Sequence, residues 1–283
     1  MLILPTSQGY RESWRDPPVK VSLSPDGLIM LRAFAWGLIA TSSLAFGGLI
    51  GASVAISKRW LGVIMGFGAG VLLSAVAYEL VFESIKLAGG SGFPALGFFA
   101  GAMVFFFSDK IIGGLGAADR KSINASHASN LVVPMILAII LDGVPESLVI
   151  GLGILESGTV SLAMLIAVFI SNLPEAIAGT SGMVSGGWKK TRILSLWLSI
   201  SLLCAVFTAI GYVGFEHVPD SWLGFVQAFA GGAILMMLAN TMSPEAYEHG
   251  GKLAGVFTVL GFAVSVGVIL LERMDQVHRL LSK

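Results

Sequence analysis

"LDGVPESLVIG" occupies Leu141–Gly151, and "ISNLPEAIAG" follows at Ile170–Gly179. Each stretch is apolar at its ends, carries a Pro-Glu pair at its centre, and places another polar side chain three or four residues before the glutamate. The sequence around them decides the fold class. Both lie within apolar runs of roughly 20 residues, the length that crosses a hydrocarbon core of about 30 Å. Such runs recur along the whole chain, which is 55% hydrophobic and only 12% charged, with a mean hydropathy of +0.86. Soluble domains carry about 25% charged residues. The chain therefore reads as an integral membrane protein. Only helices or closed barrels span lipid with every backbone group paired, and continuous rather than alternating apolar runs select helices. The fold class is all-α.

Eight spans are predicted, at 33–56, 60–82, 92–109, 131–154, 160–183, 193–215, 222–242 and 253–271. Residues 28–283 read as a single eight-helix membrane domain. Residues 1–27 mix both charge signs with Pro and Ser, lack the pattern of a signal peptide, and read as an irregular tail. Basic residues in short loops set the orientation. Lys58 and Arg59, then Lys110, Arg120 and Lys121, then Lys189, Lys190 and Arg192 follow the odd-numbered spans. This bias places both termini on the non-cytoplasmic side of what we expect to be the plasma (inner) membrane, although the loop at 243–252 is acidic. A formal net charge of zero leaves no nucleic-acid footprint, and Cys204 alone can form no intrachain disulfide.

The chain also echoes itself. "FGAGVLLSAVAYELVFES" (Phe67–Ser84) aligns without gaps to "FAGGAILMMLANTMSPEA" (Phe229–Ala246), matching Gly70 to Gly232 and Glu83 to Glu245. The second and seventh spans run in opposite senses, so spans 1–3 and 6–8 are expected to form an inverted repeat around a central pair, a 3+2+3 order found in secondary transporters. Gly47/Gly51, Gly62/Gly66/Gly70 and Gly97/Gly101 are small-residue patterns for close helix packing and carry no chemistry.

The acids in the fourth and fifth spans carry the functional signal. Asp142 and Glu146 are four apart, Asn172 and Glu175 three apart, so each pair shares a helix face. Three acids facing lipid would cost about 8–10 kcal/mol on translocon scales, so they must face the bundle interior. Neither span contains Lys, Arg or His, and a cation from outside is the simplest partner. Pro145 and Pro174 lack an N–H, leaving the carbonyls of Leu141 and Ile170 without their helical donors. We expect these prolines to shape both helices around an oxygen-rich cation site made by Asp142, Glu146, Asn172 and Glu175. Three acids exceed the charge of one divalent ion, so binding should displace protons and weaken at low pH.

These residues resemble the ZIP family of divalent metal transporters, whose fourth and fifth helices carry motifs of the type His-Asn-x-Pro-Glu-Gly. Here the fourth reads "DGVPES" (Asp142–Ser147) and the fifth "SNLPEA" (Ser171–Ala176). The resemblance covers nearly the whole chain from about residue 33. It implies eight spans with both termini outside, inverted repeats, a metal site between helices 4 and 5, a bundle moving against a scaffold, and homodimers. Pro145, Glu146, Asn172, Pro174 and Glu175 keep the motif, whereas Asp142 and Ser171 replace its histidines, Gly143 an asparagine, and Ser147 and Ala176 the glycines. Oxygen donors favour harder cations, yet zinc accepts carboxylates, and the resemblance puts zinc first. No acid lies within the sixth span, so a two-metal centre is not expected. The loop at 110–130 holds only His127, which argues against a metal-sensing loop.

Weaker candidates remain. Glu79, inside the second span, reads either as a gate, proton site or extra ligand, or as an acid bonded to a neighbouring helix. Ser171 is a secondary ligand candidate. Asp109 beside Lys110 reads as an interfacial pair, and Glu245, Glu248 and His249 as a solvated loop or a metal exit port. A proton- or sodium-coupled carrier of another class is the main rival function. An intramembrane metalloprotease is disfavoured because no His-Glu-x-x-His motif occurs, and no phosphate-binding Gly-rich loop ending in Lys-Ser/Thr couples the chain to ATP. The chain is expected to be no enzyme and to need no cofactor; the metal is cargo. Membrane lipid is the other expected partner.

Overall fold

A computed structural model describes residues 26–114 and 132–281. Among them there are eight long apolar helices and no strand. We number these α1 (Asp26–Gly51), α2 (Lys58–Leu87), α3 (Phe93–Ile112), α4 (Val132–Ser157), α5 (Leu162–Ser185), α6 (Lys190–Val213), α7 (Asp220–Gly250) and α8 (Lys252–Leu281). The expected tail lies outside the described residues except at its last two positions, which already belong to α1. His127, Arg120 and Lys121 also lie outside them.

Local chemistry explains the ends. Ser57 caps α2 by accepting from the Trp60 N–H, and Ser161 caps α5 by accepting from Met164, each satisfying an orphan donor of the first turn. Pro94 sits in the first turn of α3, where its missing N–H costs nothing. A single residue, Gly251, separates α7 from α8. Its φ of 59° is open to glycine at little steric cost.

α1 begins before its predicted span, at Asp26, α8 runs past its own to Leu281, and α2 and α7 also outrun theirs. α2 continues past residue 82 to Leu87, and α7 past 242 to Gly250. Their ends carry Glu83, Lys86, Glu245 and Glu248, residues that fail a test for apolar runs yet remain helical. Both helices also widen into a π-helical segment, at Val76–Val81 and Leu238–Met242. These segments begin at equivalent positions of the internal echo. In α7 Pro244 lies two residues past the segment, where a widened turn relieves its ring against the preceding carbonyls, whereas α2 widens with Phe82 at the matching position.

The helices group by packing. α3 lies along α7 and α2 along α8, while α1 packs on α5 and α6, and α4 on α6. α4 and α5 pack only lightly on each other. Glycines set the closest approaches. A methyl group at Gly70 would overlap the carbonyl oxygen of Thr258, and one at Gly232 that of Phe98. Likewise Gly101 lies against the Phe229 carbonyl and Gly261 against that of Phe67. The α2–α8 and α7–α3 contacts thus use the same device at positions matched by the echo. Large apolar side chains such as Leu96, Phe99 and Val259 face outward, as lipid contact requires.

Candidate metal centre

α4 and α5 bring their motifs face to face. Glu146 is 2% exposed, with Asp142, Ser171 and Asn172 also buried and Glu175 half-buried. The Glu146 carboxylate is the joint between the helices. Its Oε2 accepts from Asn172 Nδ2 at 3.2 Å and its Oε1 from Ser171 Oγ at 3.5 Å. Ser171 also reaches the Val168 carbonyl at 3.0 Å. Since the two backbones touch little, these side chains span the interval between them.

Both helices run unbroken through Pro145 and Pro174. Each proline removes one N–H without unwinding its helix, because the surrounding turns keep their bonds and neighbouring helices hold them in place. The Ile170 carbonyl faces α2 at Gly68, where a side chain would crowd it. The two helices keep their turns, and this carbonyl meets a neighbouring helix.

Among the described residues, no three His, Cys, Asp or Glu side chains converge closely enough to cage a metal. The arrangement brings Glu146 together with Ser171 and Asn172 and does not close Asp142 and Glu175 onto it as a three-acid cage. Donors available at the joint are hard oxygens: carboxylate, hydroxyl and, with the amide turned over, the Asn172 carbonyl. Cys204 of α6 is buried with its Sγ against Gly143, beside Asp142. The glycine that replaces the motif asparagine makes room for it.

Glu79 lies elsewhere. It sits on the π-helical segment of α2, and its backbone carbonyl accepts from Gln227 Nε2 of α7 at 3.1 Å. The same amide donates to Glu156 Oε2 of α4 at 3.2 Å. Glu156 is ten residues beyond Glu146, about 15 Å along the helix, so Glu79 belongs to a second polar cluster near the end of the bundle. There Glu272 of α8 accepts from the Leu162 N–H at 2.6 Å and, more weakly, from Ala163, capping α5. Glu83 pairs with Lys86 and Arg273. Glu156 and Gln227 escaped the sequence reading. The one available signal was a glutamine inside an apolar run. Glu245 is buried and His249 Nδ1 lies 3.1 Å from its carbonyl, an intrahelical contact and not a metal cage.

No family model matches the chain. It is similar to the human protein described as zinc transporter ZIP11, with 25% identity over an alignment that covers 83% of this chain and 94% of that protein. Eight membrane-length helices, paired Pro-Glu motifs facing each other on the fourth and fifth, and similarity to a zinc transporter along most of the chain agree: this protein resembles the ZIP family of divalent metal transporters.

Proposed function

We propose that the protein carries a divalent metal ion, zinc foremost, across its membrane through a site between α4 and α5. The observation that carries this reading is the buried Glu146 carboxylate, held between the two helices by Ser171 and Asn172. A carboxylate buried in a membrane helix marks an ion or proton path, and here its neighbours are all potential oxygen ligands. In the arrangement described, Asn172 turns its amide nitrogen toward Glu146. An arriving cation reverses this preference: rotating the amide presents its oxygen, and both Glu146 oxygens become free to ligate. Asp142 and Glu175, on the same helix faces, supply further charge after a small inward movement of the two helices. Protons compete for these carboxylates, so transport weakens as pH falls.

Alternating access fits the packing. α1, α4, α5 and α6 form one group and α2, α3, α7 and α8 another, and the echo between α2 and α7 supports an inverted repeat whose two halves exchange conformations. Ser171, Asn172 and the acids ride on the first group. The bonds of Gln227 to Glu156 and of Glu272 to the start of α5 tie the groups together at one end, and these must break and re-form in each cycle. The orientation, with both termini outside the plasma (inner) membrane, follows from the basic loops, and a homodimer follows from the family resemblance. Glu79 acts in this reading as part of the end cluster, not as a metal ligand.

Uptake into proteoliposomes of zinc, manganese, iron, cadmium and cobalt, offered separately across a range of pH, tests the proposal. Saturable divalent uptake that declines with acid is the expected result. Proton or sodium currents without divalent dependence would instead assign the acids to a coupling ion.

A further inference from the structure

At the end of the bundle where α2 and α8 begin, a cavity of about 600 Å³ opens between them, lined by Arg59, Glu248, His249, Lys252, Leu253 and Val256. Arg59 and Lys252 come from different helices and make no ion pair among the described residues, although Glu248 shares the cavity. Two fixed cations against one carboxylate leave an excess of positive charge. The first turns of α2 and α8 add partial positive charge and the last turn of α7, which also lines the cavity, partial negative charge, so the two side-chain cations decide its sign. A metal ion is repelled by such a cavity. An anion with several oxygens is attracted, because guanidinium offers a bidentate fork and ammonium a point charge.

The surroundings identify the source of that anion. Val256 on the cavity wall is 62% exposed, and Val259 and Leu260 continue the same outward face of α8. Trp60, next to Arg59, is 58% exposed, an aromatic at the depth where membrane proteins meet headgroups. Polar at its mouth and apolar along its outer wall, the cavity matches a headgroup with acyl chains running down α8. Basic pockets between membrane helices hold anionic headgroups on this principle. We propose that Arg59 and Lys252 bind the phosphate of an anionic phospholipid from the leaflet at the basic end of the bundle, bridging the starts of α2 and α8. This site is independent of the metal centre.

The test uses the full-length protein in detergent, titrated separately with short-chain phosphatidylglycerol, short-chain phosphatidylcholine and inorganic phosphate, with binding read by native mass spectrometry. The expected result is saturable phosphatidylglycerol binding, at least about tenfold weaker in the Arg59→Gln/Lys252→Gln double variant, with phosphatidylcholine and phosphate far weaker. Glu248→Gln, which keeps both cations, should bind phosphatidylglycerol several-fold more tightly, and it decides the matter if the double variant does not fold. Equal binding of the two lipids, phosphate as effective as the lipid, unchanged binding by a folded double variant, or no gain in Glu248→Gln would each overturn the proposal.

Discussion

A buried carboxylate in a membrane helix has to find donors or a cation, and Glu146 shows how the chain provides for both. Asn172 and Ser171 stabilise it across the α4–α5 interval, and in the proposed function each offers an oxygen to the ion that replaces the hydrogen bonds. Removing one donor exposes the cost. Asn172→Ala should destabilise the protein by about 1–3 kcal/mol, the range for a buried polar group left unsatisfied, and weaken metal binding about tenfold or more; thermal melting and metal titration read the two effects separately. Asn172→Asp adds a fourth acid to the site. It should make metal binding fall more steeply with acidification than in the wild type, because more protons must leave, and titrations at several pH values check this. At this scale the sequence was informative because isolated acids in apolar runs are costly enough to stand out. The Glu156–Gln227 bond was not legible, since it joins residues 71 apart and a glutamine inside an apolar run names no partner.

Among the elements, glycine decides how near two helices come. At Gly232 the α3 backbone leaves no room for a methyl group, whereas at Gly255 on α8 nothing lies within 4 Å. Gly232→Ala should therefore destabilise by about 1–3 kcal/mol through overpacking. Gly255→Ala should be neutral or stabilising by up to about 1 kcal/mol, since alanine is the better helix former. Denaturation in detergent distinguishes the two, and equal effects would contradict the packing described. The capping of α5 by Glu272 makes a second prediction. Glu272→Ala should cost about 0.5–2 kcal/mol, as helix caps do, and increase hydrogen exchange at Leu162 and Ala163. The eight helices were readable from apolar runs, but the polar tails of α2, α7 and α8 were not, because helices persist wherever neighbours hold them. Pro145 and Pro174 were readable as residues, and the helices run unbroken through both because one lost donor does not unwind a packed helix.

For the whole molecule, the arrangement amounts to two groups of helices that meet where α2 packs on α5 and are tied at one end by Gln227 and Glu272, with the Glu146 contact inside the first group. The echo between α2 and α7 was visible as a sequence alignment. Its structural counterparts, the matched π-helical segments and the paired glycine contacts, depend on helices far apart in the chain and became visible only in three dimensions. In the proposed cycle the Glu146 contact accepts an ion while the end contacts open and close. The most direct test is zinc uptake into proteoliposomes by the wild type beside Glu146→Ala and Glu175→Ala, each first checked for a native melting transition. We predict saturable uptake by the wild type and none above background by either folded variant. Uptake at the wild-type rate by either one would contradict the account.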